Sequence, residues 1–388
     1  MNRREAALAL PACLAFLLHL PARACGFVFD DRGVIVDNPL MQDLARLPRL
    51  LASPWWVGRV QDAGLWRPLT SLTFALDRAV AGLEPAWFHL VNVGWHAVVT
   101  GLLTLLALDL GAGVAGALLA GGLFAVHPVH TEAVVGIVGR AELIAAAAVL
   151  GALLLHRRAL RGAGGGAAAI LAPLCVVAAM LAKESGFAVI ALVAIVERLP
   201  GRTTPAPIDA RRRRALWIAY AAVILLVFGL RWAVLGRPGP GATIPFVDNP
   251  AASAGAVTGR LTALACVVRY TRLLLWPRVL SADYSYDQIP IAGGIADAGV
   301  ILGFLLAAGA LVLGWRLRRR LPLVGFGLLL LAVALAPASN LIVFAGTLLA
   351  ERLLYLPSAG LALLVAGIAA AVPAGALRGA AYAASILL

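Results

Sequence analysis

The chain is predicted to be an all-α polytopic membrane protein, and three observations predict it. Of its 388 residues, 62% are hydrophobic and 13% charged, and mean hydropathy is +0.93, values that a soluble domain of this length does not show. The apolar residues fall into runs of roughly 15 to 22, the length that a bilayer core demands. Arginines gather in short groups between those runs, as the positive-inside rule requires. The net charge of +13 is therefore read as topology, with the lipid bilayer as partner and no nucleic acid. Four cysteines, Cys13, Cys25, Cys175 and Cys266, show no metal-ligand spacing. Only Cys25 and Cys266 fall where an oxidising compartment is expected, and no motif supports a disulfide between them.

The elements follow in order. The first apolar run, Ala6 to Leu20, stands after Arg3-Arg4 and before Ala22-Arg23-Ala24, which also fits the small-x-small rule of a cleavable signal. An uncleaved first helix is the preferred reading, because the acidic pair Asp30-Asp31 then follows a membrane anchor. A long outer loop, 24–89, contains Leu40 to Pro54, an amphipathic stretch interrupted by prolines, and the tryptophans Trp55, Trp56 and Trp66, which suit interfacial helices. Further spans are expected near 90–108, 113–126, 141–156, 167–182, 186–198, 215–234, 297–315, 322–337 and 357–373, giving about 10 to 11 membrane helices in one domain over 1–388. A second long outer loop, 235–296, holds the apolar run 259–277. The run from Ala380 to Leu388 stops at the chain end, which suggests a partial helix or a shortened form.

Placing Arg3-Arg4 inside puts Arg157-Arg158-Arg161, Arg198 to Arg214 and Arg316 to Arg320 on the same side by alternation. Between Arg214 and Arg316 the number of crossings must be even, yet three apolar runs occur there. The run 259–277 is expected not to cross, since it carries Arg260, Arg269 and Arg272 and ends at Trp276-Pro277, features of an interfacial or re-entrant helix. The topology was not built from the acids, but it sorts them. All but four of the 19 Asp and Glu residues (Glu5, Asp109, Glu197 and Asp209) fall on the outer side or at its membrane edge. The two long loops are therefore the expected working surface.

The outer edge carries Phe29-Asp30-Asp31, Trp66-Arg67-Pro68-Leu69, Asn92 with His96, the block His127 to Glu142 ending Gly139-Arg140-Ala141-Glu142, Lys183-Glu184-Ser185-Gly186, Asp283-Tyr284-Ser285, and Glu351 to Ser358. Together, over roughly residues 25 to 360, these seven ordered motifs resemble the membrane region of the transmembrane and tetratricopeptide repeat-containing O-mannosyltransferases, in a bacterial-type form. The resemblance implies a GT-C glycosyltransferase fold, a polyprenyl-phosphate-linked sugar as donor, a protein or glycan hydroxyl as acceptor, and transfer on the non-cytoplasmic face. A bacterial inner membrane, with the active site facing the periplasm or exterior, is the expected location. No tetratricopeptide repeat signature occurs in the chain, so the part expected to bind acceptor is not in view.

Inverting transfer from a lipid phosphate needs a carboxylate to take the acceptor proton. Asp30, Asp31 and Glu132 are the candidate catalytic carboxylates. The resemblance favours Asp30 as base, with Asp31 orienting the acceptor or capping a helix; the plainer reading is that the pair only caps a loop helix or marks a turn before Gly33. The departing phosphate calls for cations, and Arg140, Arg352 and Lys183 are the candidates. Lys183 is the one lysine in the chain, although snorkelling to headgroups would also place it at a helix end. Arg67, His127, His130, Glu184, Asp283, Tyr284, Glu351 and Tyr355 are the expected supporting residues. His127, His130 and Glu132 suggest a divalent metal, but the His-x-x-His spacing crosses Pro128 and arginines can hold the phosphate, so no metal or cofactor beyond the lipid-linked sugar is expected. A transporter or flippase would show paired repeats with matching helix breaks, which are not seen. A non-catalytic scaffold would have no need of the outer carboxylates.

Overall fold

The computed structural model describes residues 3–57, 64–162, 165–200, 210–236 and 244–372, and every regular element among them is helical. The α-helices are α1 (Arg3–His19), α2 (Leu47–Leu51), α3 (Pro68–Ala81), α4 (Pro85–Asp109), α5 (Gly113–Val126), α6 (Thr131–Val135), α7 (Arg140–Leu160) and α8 (Gly165–Ala182). They continue with α9 (Val189–Val196), α10 (Ala210–Leu235), α11 (Pro250–Ser253), α12 (Ala256–Leu275), α13 (Ala298–Leu317), α14 (Pro322–Leu335) and α15 (Tyr355–Ala371). Each expected span coincides with one of these helices to within a few residues. The apolar run at Ala380–Leu388 and the loop 201–209 lie outside the described residues.

Among the described residues, five helical stretches are long and apolar enough to cross a membrane: Pro85–Asp109, Ile137–Leu160, Ala210–Leu235, Ala298–Leu317 and Glu351–Ala371. The pair Gly113–Val126 and Pro128–Val135, bent by 52° at His127, makes a sixth if taken as one span. Shorter apolar helices at Ala9–Ala24, Gly166–Ala182, Glu184–Val196 and Pro322–Ala338 complete the set. The protein is an all-α polytopic membrane protein. α12, with its three arginines, is not among the spanning helices.

Burial orders the bundle. The α7 span is 89% buried while those of α10 and α13 are 17% buried, so α7 is the central post and the other two face lipid along most of their length. Around α7 pack α4, α8 and α9; α1 and α5 lie against α4, and α15 joins α5 to α14. The α14–α15 crossing is set by two glycines. A Cβ on Gly327 would sit 2.6 Å from Gly360 O, and one on Gly360 would sit 2.5 Å from Gly327 O, so only glycine at both positions lets the backbones meet.

The first outer loop is more structured than the sequence suggests. Pro68 at the first helical position and Gly82 at φ +63° bracket α3, a 14-residue helix that the sequence reading leaves as loop. Trp55 and Trp66 were expected to anchor the loop in the interface. Instead they are buried, Trp55 against Phe74 and Trp66 donating its indole N–H to Leu51 O at 2.8 Å. Trp55 forms the core of a small outer layer with Val34, Ile35, Met41 and Phe88.

At the opposite end, Asp109 pairs with Arg157 and, at 2.5 Å, with Arg161. Glu197 pairs with Arg213 at 2.5 Å and accepts from the Trp217 indole at 2.9 Å. These contacts gather the arginine groups of α7 and α10 at one end of the bundle. All four cysteines are free thiols.

Candidate active site

The chain leaves α1 through a short 3-10 turn and tightens into a turn at Val28–Asp31, where Asp31 N–H donates to Val28 O at 2.9 Å and Phe29 takes φ +44°. The Asp31 carboxylate, 1% exposed, accepts from Val28 N–H at 3.1 Å and from Val138 N–H at 2.9 Å. It thereby clips the loop after α1 to the turn that begins α7. Burial raises its pKa above the usual carboxylate value, while the backbone donors of Val28, Val138 and Ile137 oppose the rise. Asp30, the next residue back, is exposed, and among the described residues no hydrogen bond occupies its carboxylate. The pair expected from the sequence thus divides into a buried anchor and an open base candidate.

Asp30 adds its charge to the field at Arg352 and at Asp248. Glu132, on α6, receives both the backbone N–H of Arg352 at 2.7 Å and its guanidinium. With both oxygens so used, Glu132 positions Arg352. The Arg352 side chain keeps 33% exposure, so part of its fork still faces out.

Lys183 ends the strand of chain leaving α8 and pairs with Glu142 of α7, which also accepts from Ser185 Oγ at 3.2 Å. Burial pulls the lysine pKa down and Glu142 holds it up; Arg67 and Arg352 are close enough to add like charge. Arg67, at the start of α3, stacks over the Trp55 ring at 5.0 Å and makes a fork to Glu184 Oε2 at 2.9 and 2.7 Å. Five segments far apart in sequence so bring Arg67, Lys183, Arg352 and their carboxylates into one cluster.

Arg140 has a different fate. Fully buried, it donates through Nε to Asn92 Oδ1 at 2.7 Å and through Nη2 to Phe88 O at 2.9 Å, pairs through Nη1 with Asp77, and lies 4.7 Å from the Phe74 ring centre. Every guanidinium nitrogen is engaged, so the geometry does not support the expected phosphate contact. Its place is to fasten α7 to α3 and α4. Asn92 completes that fastening by donating to the carbonyls of Val134, Gly136 and Ile137 at 3.3, 3.1 and 3.2 Å. At Gly139 a Cβ would collide with Ala133 O, which is the physical reason for glycine ahead of Arg140.

The remaining supporting residues build the walls. Glu351 accepts from Ser281 N–H at 2.6 Å and from Tyr284 Oη–H at 2.7 Å, docking the second outer loop onto the start of α15. Asp283 accepts from Ser285 N–H and Oγ–H at 3.0 and 2.6 Å, and the hydroxyl hydrogen bond lowers its pKa. Burial, with Asp283 and Asp30 nearby, raises that of Asp248. Beneath them, Tyr355 Oη lies 2.7 Å from His96 Nδ1, and His130 Nε2 lies 2.7 Å from Ser358 Oγ. His127 Nε2 is 3.0 Å from Leu274 O, so the two histidines and Glu132 are each committed to different partners. Among the described residues no group of three or more His, Cys, Asp or Glu is arranged to hold a metal.

Sequence reasoning missed three participants: Asp77, which neutralises Arg140; Asp248, facing Asp30 and Asp283; and Arg231, 3.7 Å from Glu184 Oε1. Of these, Arg231 left a signal, a lone charge inside the apolar run 215–234.

Residues 243–311, which include α12 and the loop bearing Asp283, match the family model "Protein O-mannosyl-transferase TMTC, DUF1736". The chain is 36% identical over 294 residues to Protein O-mannosyl-transferase Tmtc2 of Drosophila melanogaster, covering 73% of this chain and 31% of that protein. Tmtc1 of the same organism is 31% identical over 444 residues, covering 92% and 51%, and human TMTC3 is 32% identical over 369 residues, covering 88% and 40%. This chain therefore spans between about a third and a half of the length of these relatives. No solved structure matches it. Over the region it shares with them the chain is similar to the protein O-mannosyl-transferases of the TMTC family, and residues 243–311 carry that family's matched segment.

Proposed function

We propose that the protein is an integral-membrane glycosyltransferase of the GT-C class, moving a mannose-like sugar from a polyprenyl-phosphate donor to a protein or glycan hydroxyl with inversion. The observation that carries this reading is an open carboxylate, Asp30, beside a cluster of cations at one membrane edge. The names of the relatives support the sugar and the reaction class.

In this mechanism Asp30 removes the proton of the acceptor hydroxyl as its oxygen attacks the anomeric carbon from the face opposite the phosphate. The bond between that carbon and the phosphate oxygen breaks, and the lipid leaves as a phosphate monoester with one more negative charge. Arg352, Lys183 and Arg67 neutralise that charge, in a site where pre-set donors act more strongly than in water. Asp31, by clipping the turn to Val138 N–H, sets where Asp30 stands. Glu132 and Glu142 hold Arg352 and Lys183 in place. The site works on the non-cytoplasmic face, which in a bacterial inner membrane is the periplasmic one, and no metal takes part.

Purified protein in proteoliposomes, given a radiolabelled mannosyl-phosphate polyprenol and a hydroxyl-bearing acceptor peptide or glycan, tests the reading. Label on the acceptor in the β-to-α or α-to-β inverted form supports it; free sugar alone, or no consumption of donor across a panel of sugars, contradicts it.

A further inference from the structure

Arg231 is the least expected charge in the molecule. It lies near the outer end of α10, whose spanning window is only 17% buried, yet the Arg231 side chain itself is 7% exposed. It turns inward to donate to Gly64 O, and its Nη1 stands 3.7 Å from Glu184 Oε1, beyond hydrogen-bond range. Glu184 Oε1 is buried and has no hydrogen-bond partner, since the fork of Arg67 falls wholly on Oε2. A charged group inside a membrane helix is costly, and it persists where a partner or a function keeps it.

The pairing of charges is uneven. Lys183 belongs to Glu142, Arg352 to Glu132 and Arg67 to Glu184. Among the described residues these three cations and three carboxylates cancel as pairs, and Arg231 stands beside them as a fourth cation that shares Glu184 with Arg67. Each of the other three cations already has a carboxylate of its own, so Arg231 adds the positive charge that lets the cluster hold a further anion.

We propose that Arg231 binds the phosphate of the lipid-linked donor, and that together with Arg352, Lys183 and Arg67 it neutralises the negative charge the departing monoester gains. The proposal rests on the glycosyltransferase reading for the identity of the ligand, but its test does not depend on turnover. Undecaprenyl phosphate is expected to bind the detergent-solubilised wild-type protein, with undecaprenol, the same lipid without the charge, as control, and no binding of the phosphate would overturn the proposal. Arg231→Gln, which keeps a donor for Gly64 O, is expected to weaken binding of the phosphate about tenfold or more while leaving the alcohol within about twofold, and Arg231→Lys is expected to recover part of the loss. An equal loss for both lipids would make Arg231 a loop anchor only and would overturn the proposal, as would wild-type phosphate affinity in Arg231→Gln.

A second measurement needs no variant. A diazirine beside the phosphate of the probe is expected to label wild-type α10 between residues 227 and 235. Labelling confined to other helices would overturn the proposal. If sugar transfer fails for every donor while phosphate binding still depends on Arg231, the glycosyltransferase reading falls and this inference stands.

Discussion

Glu132 holds Arg352 at two points, accepting its backbone N–H at 2.7 Å and its guanidinium, across 220 residues of sequence. The double contact fixes both the chain and the side chain at the start of α15, so it reads as a device for presenting a cation. Glu132→Gln keeps an acceptor for the backbone N–H but removes the charge. It is expected to raise the KM for donor by about one decade, the scale of a lost charge-assisted contact, with folded yield near wild type. A fall in kcat at unchanged KM would instead point to Glu132 as a chemical base.

Arg352→Ala is expected to lower kcat/KM for donor by roughly one to two decades, because a charge-assisted contact to phosphate is typically worth about 1.5 to 3 kcal/mol. Arg352→Lys is expected to recover only part, since the planar fork is lost. Wild-type donor kinetics in purified Arg352→Ala would remove Arg352 from the phosphate site.

Arg140→Ala is expected to act on stability. It leaves the buried Asp77 carboxylate with the Trp87 indole N–H but no cation, and the Asn92 and Phe88 acceptors without the donor Arg140 supplies, and breaking such a pair typically costs about 3 to 5 kcal/mol. Folded protein after detergent extraction should fall sharply, while whatever fraction survives binds undecaprenyl phosphate as wild type does. Normal yield with lost phosphate binding would return Arg140 to the site.

Asp31 gives a prediction with a sign. Its folded pKa is raised by burial, so the stability contributed by the protonated form is full below the ordinary carboxylate value and is lost as pH rises through the raised one. Asp31→Asn does not titrate. Melting temperatures measured from acid to neutral pH should therefore show wild type losing stability relative to Asp31→Asn over that window and then running parallel to it. A relative gain for wild type with rising pH would mean that the backbone donors outweigh burial.

The contrast between Arg140 and Arg352 shows what was legible in the sequence. Both are arginines at the edge of an apolar helix in a recognisable motif, and motif position alone ranks them together. Only the packing separates them, since Asp77 lies 63 residues from Arg140 and Glu132 lies on a different helix from Arg352. The spans themselves were legible because lipid imposes length and hydropathy on every crossing segment. The first outer loop was not, because α3 is amphipathic and short of a spanning length, and its Trp55 and Trp66 look the same in sequence whether they meet headgroups or a small protein core. Arg231 was passed over because a single charge in an apolar run is easily assigned to snorkelling.

The central claim is that Asp30 is the base, and Asp30→Asn tests it most directly. Asparagine preserves size and hydrogen-bonding reach but removes the basic lone pair. Transfer from a radiolabelled polyprenyl-phosphate sugar, normalised to folded protein and to undecaprenyl phosphate binding, is predicted to fall by about two to four decades in Asp30→Asn while binding is unchanged. Transfer within about threefold of wild type would contradict the account, because a residue that merely shapes the turn is served nearly as well by asparagine.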